Sequence, residues 1–375
     1  MPALLPNIDP DGLEEFSVVF TDRSLNHMSQ AFQGVMRDIS ALLKEVYSAE
    51  AVALVPGGGT FAMESVARQF AGGKKALIVR NGWFSFRWSQ IFDMGGFAGE
   101  TVVAMARQTG NSARSPFAPA PIAEVVQAIR DTKPDAVFAP HVETASGMIL
   151  PDDYLKALAA AAHEVGALFV LDCIATGCVW VDMKAIGVDV LISAPQKGWS
   201  ASPSAGLVML SAAALQRLEE TTSSSFAMDL KKWRAIMAAY EAGGHAYHAT
   251  MPTDALRAFR DTMQETKDYG FERLRDAQWK LGNAVRAEFA SRGITSVAAE
   301  GFGAPGVVVS FTEDPEVQTG KKFAAQGVQI AAGVPLQVGE GDSYRSFRIG
   351  LFGLDKLYDV EGTVARVKRA LDAAL

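Results

Sequence analysis

Cysteine is scarce in this chain of 375 residues. Only Cys173 and Cys178 are present, too few for a disulfide framework or a cysteine-rich metal site. Both read as reduced thiols. Histidine is scarce too, and the spacing of His27, His163, His245 and His248 suggests no metal ligand set. No apolar run reaches membrane-spanning length, because the richest region, 157–181, is interrupted by His163, Glu164 and Asp172. It reads as a helix followed by a strand. Excess basic charge is missing as well: the net charge is −7, the pI is about 5.4, and the Lys and Arg residues form no stripe. This argues against a nucleic-acid surface and leaves small molecules as the expected partners. The opening MPALLPNIDPDGLEE has neither a basic start nor an apolar signal core, so the protein is expected in the cytoplasm and off the membrane.

Apolar content is ample for one large domain and a smaller one. Seven short apolar or β-branched runs alternate with amphipathic stretches: AVALV (51–55), ALIV (around 77–79), TVVAM (101–105), AVFAP (136–140), LFVLD (168–172), VLISA (190–194) and GLVML (206–210). Such alternation predicts an α/β fold, a mostly parallel sheet wrapped by helices. PIAEVVQAIRDTK and DDYLKALAAAAHEVG read as two of those helices, the second with acids at its start and Gly166 at its end. After about residue 255 one long helical stretch, from TDALRAF to EFASRG, precedes short strands at SVAAE, GVVVSF and SFRIGL and a final helix EGTVARVKRALDAAL. We therefore expect an N-terminal arm over 1–20, a large domain over 21–255 and a small α+β domain over 256–375.

Ligands of open α/β sheets sit beyond the carboxyl ends of the strands. Five strand ends carry candidate chemistry: PGGGT, RNGWF, HVET, Asp172 and PQK. In the first, Gly57 to Thr60 follow a strand and open a helix, where backbone N–H groups are suited to a phosphate. Gly57, Gly59 and Ala62 also fit a dinucleotide pattern, but Arg80 and Asn81 stand where a ribose-binding acid belongs, which leaves only an NADP dehydrogenase as a rival. A glycine turn serving close packing is the plainer alternative. Asp172 closes an apolar strand, and Lys197 follows a later one. They form either a buried ion pair or a catalytic lysine with a carboxylate serving a cofactor. Phosphate loop, aromatic strand end, buried acid and following lysine together match the needs of pyridoxal phosphate.

The motifs PGGGTFAME, NGWFSFR, HVETASG, LDCIAT, SAPQKGW, YHAT and RIGLFG, spread from about Phe20 to the C-terminus, resemble those of the class V aminotransferases among the fold-type I pyridoxal-phosphate enzymes. The alanine–glyoxylate and serine–pyruvate aminotransferases are the most similar. The resemblance implies that Lys197 is the internal Schiff-base lysine and Asp172 the partner of the pyridinium nitrogen. It implies that Gly58, Gly59, Thr60 and Gln196 meet the phosphate and that Phe84, or its neighbour Trp83, stacks on the ring. Thr144 would contact the ring hydroxyl, and Arg348 would clamp the substrate α-carboxylate. Tyr247 and Thr250 would reach the phosphate of a neighbouring subunit, implying a homodimer with shared active sites. His141 would support the cofactor rather than react. Each position has a plainer role: a turn for Thr144, a surface aromatic for Tyr247, an ion pair with Asp342 for Arg348.

The implied activity is ping-pong transfer of an amino group from a small amino acid such as alanine or serine to glyoxylate or pyruvate. Where relatives carry a Pro-Gly-Pro turn this chain has Asp22-Arg23-Ser24, so Arg23 becomes a candidate for selecting a donor with a second acidic group, aspartate-like or 2-aminoethylphosphonate. Lyase chemistry on the same scaffold is the remaining alternative.

Overall fold

A computed structural model describes residues 7–375. Of the expected arm, 1–6 lie outside the described residues, and residues 8–29 form neither helix nor strand. This segment is tied down by Arg257, which donates to the Ile8 carbonyl at 2.7 Å, and by Asn26, which donates to Glu15 at 2.6 Å. Helix α1 (Gln30–Tyr47) follows, capped by Ser29, whose hydroxyl accepts from the Phe32 N–H.

The seven expected runs become the seven strands of one sheet: β1 (Ala51–Pro56), β2 (Ala76–Arg80), β3 (Thr101–Met105), β4 (Ala136–Pro140), β5 (Leu168–Asp172), β6 (Val190–Ser193) and β7 (Ala205–Leu210). Their spatial order is β1-β7-β6-β5-β4-β2-β3. Only β7 runs against its neighbours; β2 to β6 pair in parallel. Strands β4 to β7 are buried along their whole length, which is why they read as continuous apolar runs, whereas β3 is a half-buried edge. Helices α2 (Gly59–Phe70), α3 (Trp83–Gly95), α4 (Ile122–Thr132) and α5 (Asp152–Glu164) wrap the sheet. Among the described residues no helix is long and apolar enough to cross a membrane.

The long helical stretch after 252 is two helices, α6 (Thr253–Tyr269) and α7 (Phe271–Ala290). Gly270 separates them at φ +106°, a conformation that disfavours any side chain. Leu256, Phe259 and Met263 of α6 belong to the core of the large sheet, while Leu274, Leu281 and Phe289 of α7 belong to a second core. The two helices thus divide between the two apolar cores at Gly270, fifteen residues beyond the expected boundary at 255. The second core is closed by α8 (Val360–Ala374) and a three-stranded antiparallel sheet of β8 (Val307–Phe311), β9 (Ala331–Ala332) and β10 (Ser346–Gly350). SVAAE, expected as a strand, makes only isolated bridges at Ser296 and Ala298. A third apolar cluster, including Val142, Ala145, Val309 and Leu336 with Phe84 and Phe352 against it, joins the two units beside the sheet rim.

One polar junction ties the back of the large unit. The buried Asp189 carboxylate meets His163 Nε2 at 2.9 Å, the Phe169 N–H at 2.9 Å and the Ser211 hydroxyl at 3.0 Å. The hydrogen bond that His163 donates to Asp189 raises the His163 pKa, against a partial burial that lowers it. A raised folded-state value means that the stabilisation is complete below the ordinary histidine value of 6.5 and is lost as the pH climbs through the folded value. Thermal melts should therefore show His163→Ala lowering Tm more at pH 5.5 than at pH 8.5 (test conditions of roughly one unit below and two above the ordinary value); an equal loss at both would remove the linkage.

Candidate active site

The carboxyl ends of β1, β2, β4, β5 and β6 open on one rim, and many of the sequence candidates gather there. After β1 the chain turns at Gly57, at φ +122°, where a Cβ would meet the Phe61 ring at 2.7 Å. Gly58 is the N-cap of α2, and Gly59 begins it with the Ile174 side chain packed so close that a Cβ would lie 2.5 Å from its Cδ1. In the first turn of α2 the Phe61 and Ala62 N–H groups donate to the Gly58 carbonyl at 3.0 and 3.3 Å, which leaves those of Gly59 and Thr60 at the positive end of the helix dipole, on the cavity wall.

Asp172 and Lys197 line the same cavity, about 260 Å³ in volume, with Gly59, Thr60, Phe84, Thr144 and Gln196. Burial pushes the Asp172 carboxyl up to about 7; the Ile174 N–H, bonded at 2.9 Å, and the Arg87 charge pull it down, and the Glu143 charge adds to the rise. Burial also holds the Lys197 ammonium below its ordinary value, helped by the charges of Arg348 and Arg87. The cation that bears on Asp172 is Arg87, so the simple buried Asp–Lys ion pair is not what the chain has built. Lys197 Nζ lies 5.2 Å from the centre of the Phe352 ring. The Gln196 Oε1 is buried beside it with no protein partner.

Helix α3 brings an aromatic wall. Phe84 lines the cavity, whereas Trp83 lies outside it, 5.9 Å from Phe86. Two guanidinium groups flank the Phe84 ring: Arg87 at 4.7 Å and Arg348 at 5.5 Å. Arg348, on β10, donates through Nε to the Ala332 carbonyl at 2.8 Å and does not pair with Asp342. Arg87 donates to the Thr60 hydroxyl at 3.0 Å. Sequence reasoning quoted Arg87 within NGWFSFR but gave it no role. Its position three residues after Phe84, on the same helical face, was the available signal.

The remaining candidates lie elsewhere. The Tyr247 hydroxyl is 3.2 Å from that of Thr250; both side chains are exposed and outside this cavity. Arg23 is solvent-exposed, 3.9 Å from Asp22, and also outside it. His141 is buried with Nδ1 3.0 Å from the Thr176 hydroxyl, and burial lowers its pKa to about 4, which keeps it neutral. Arg80, which the NADP reading needed, is committed to Ser89 at 2.8 Å, the Gln337 carbonyl at 3.2 Å and the Phe86 ring.

Comparison with known proteins gives a consistent family. The model of the family "Aminotransferase class-V" matches residues 15–333. Among curated proteins, the soluble hydrogenase 42 kDa subunit of Anabaena cylindrica is 26% identical over 92% of this chain and 87% of its own. The alanine–glyoxylate aminotransferase 1 of Saccharomyces cerevisiae is 26% identical over 88% and 86%. The 2-aminoethylphosphonate–pyruvate transaminase of Paraburkholderia phymatum is 26% identical over 93% and 89%. Of solved structures, an alanine–glyoxylate aminotransferase from Nostoc sp. superposes with a TM-score of 0.76 at 21% identity, covering 92% of this chain and 88% of its own, a likeness of fold.

Two outcomes follow from the rim electrostatics. Because folding raises Asp172 from 3.8 to about 7, its ionisation weakens the cofactor-free fold as the pH rises through that interval. Cofactor-free Asp172→Asn is expected to melt above the wild type at pH 8 and level with it near pH 4 (conditions roughly bracketing the shift); a lower melt at pH 8 would refute the burial argument. Arg87→Met removes a cation that disfavours the ammonium, so the pH midpoint for amine labelling of Lys197 should move upward. A downward or absent shift would count against it.

Proposed function

Because this aminotransferase belongs to the class V family, which depends on pyridoxal phosphate, we propose that its rim cavity holds that cofactor and moves an amino group from a small amino acid, alanine or serine in type, to glyoxylate or pyruvate. The observation that carries the reading is one cavity lined by both an amine of depressed pKa and a buried carboxyl.

The residues present fit the group. Gln196 lines the cavity with an amide able to donate through its NH2 group, the glycine cradle admits a close ligand at the α2 N-terminus, and Asp172 offers a buried carboxyl suited to a protonated ring nitrogen. Gly58, Gly59, Thr60 and Gln196 would hold the phosphate, Phe84 the ring face and Thr144 the ring hydroxyl. When bound, pyridoxal phosphate supplies an aldehyde for covalent attachment and a ring that accepts the electron pair released at the substrate α-carbon. Lys197 contributes the amine for attachment, and its depressed pKa enlarges the neutral, nucleophilic fraction at neutral pH. With the cofactor bound, the same Nζ would be placed as the base that takes the substrate α-proton and, as its conjugate acid, later delivers a proton to the acceptor carbon. Asp172 would hold a ring nitrogen of the cofactor in its protonated form, since an anion beside such a nitrogen raises its pKa and a cation there lowers that of the carboxyl. Arg348 presents its guanidinium fork to the α-carboxylate from beside Phe84. Tyr247 and Thr250, exposed and away from their own cavity, suit a contact with the site of a second copy, and a homodimer is part of the proposal.

A second reading, a donor with an additional acidic group, is favoured by Arg87, whose guanidinium lines the cavity in addition to that of Arg348 beside Phe84. Arg23, outside its own cavity, yields that part to Arg87. A donor panel of alanine, serine, aspartate and 2-aminoethylphosphonate, each with glyoxylate and with pyruvate, decides between the two. Lys197→Ala should remain folded, lose the visible absorbance of covalently held cofactor, and turn over at least about a thousandfold more slowly. Near-normal turnover by that variant without added amine would remove the assignment.

A further inference from the structure

Glu143 is fully buried, and among the described residues it forms no salt bridge. Four donors converge on its carboxylate instead. Oε1 accepts from the Ala145 N–H at 2.9 Å and the Phe84 N–H at 3.2 Å; Oε2 accepts from the Ser85 N–H at 2.9 Å and the Ser85 hydroxyl at 2.7 Å. Phe84 and Ser85 lie in the first turn of α3, so the negative charge sits at the positive end of a 13-residue helix dipole. Helix and hydrogen bonds together replace the cation that a buried carboxylate otherwise needs.

The backbone of Glu143 is itself fixed. Val142 and Glu143 pair in register with Ile149 and Met148, and the Gly147 N–H donates to the Glu143 carbonyl at 2.8 Å. A short rigid hairpin thus projects one carboxylate into the start of α3. Gly82 leaves the room for it, because a Cβ there would lie 2.8 Å from the Glu143 Cδ. The chain neighbour of Glu143 is Thr144, on the cavity wall, and the helix it grips carries Phe84 and Arg87, also on that wall.

We propose that Glu143 is a positioning residue of the active site, whose carboxylate clamps the hairpin bearing Thr144 to the helix bearing Phe84 and Arg87 and thereby fixes the orientation of the bound ring. The inference rests on the reading that this cavity binds pyridoxal phosphate. Glutamine is a severe test despite its shape: each carboxylate oxygen takes two donors, and an amide would turn an NH2 group toward two of them. The Glu143 charge also bears on Asp172 and Arg348, so its loss alters the field as well as the geometry.

The experiment compares the wild-type holoenzyme with Glu143→Gln and with Gly82→Ala, which keeps the carboxylate but wedges a methyl group against it. Visible circular dichroism per bound pyridoxal phosphate reports ring orientation, a readout that a merely structural role would not move. It should fall at least about twofold in both variants, with the cofactor Kd raised about tenfold and kcat lowered about tenfold or more. Variants whose dichroism and cofactor Kd match the wild type, whatever their Tm, overturn the proposal alone. A wild type that binds no pyridoxal phosphate overturns the functional reading and the proposal together. Should Glu143→Gln yield no soluble protein, Gly82→Ala decides by the same measurements.

Discussion

Ionisable groups withdrawn from water dominate the sheet rim. Asp172, Lys197, Arg87, Arg348 and Glu143 all approach a single small volume; burial displaces Asp172, Lys197 and Arg348 from their ordinary states, and a helix dipole answers Glu143. Their charges do not cancel in pairs. Asp172 feels Arg87 and Glu143 with opposite sign, and Lys197 feels two guanidiniums. Such a cluster is costly to maintain in a fold that has nothing to gain from it. The seven-stranded sheet makes the cost tolerable, because its fully buried strands supply apolar burial far from the rim while its strand ends converge on it.

The fold was highly legible, for a physical reason. A strand buried on both faces must be apolar throughout, and the chain must then change character abruptly where it leaves the sheet. LFVLD and VLISA show both signs, and both are strands of the sheet. Gly270 was harder to read, since the apolar periodicity of α6 and α7 continues through it and only its left-handed backbone reveals the break. SVAAE misled because its apolar residues serve packing between two units rather than a ladder.

Within the site, legibility followed chemical peculiarity. A lysine after a buried strand and an acid closing another stand out in any sequence. Glu143 and Arg87 do not, because their importance lies in what α3 places beside them. Glu143 is one acid among many until its four donors are seen, and Arg87 is one helical cation until it is found flanking Phe84. Arg23 is the opposite case: it stands out as a departure from a familiar turn, and its side chain is exposed beside Asp22 and outside the cavity of its own chain.

The contact between Gly59 and Ile174 has a broader meaning. Ile174 stands two residues beyond Asp172, lines the cavity and presses directly on the first residue of α2, so one hydrocarbon side chain couples the start of that helix to the segment that carries the acid. A change of bulk at position 174 therefore bears directly on position 59, where even one added methyl group would collide with it.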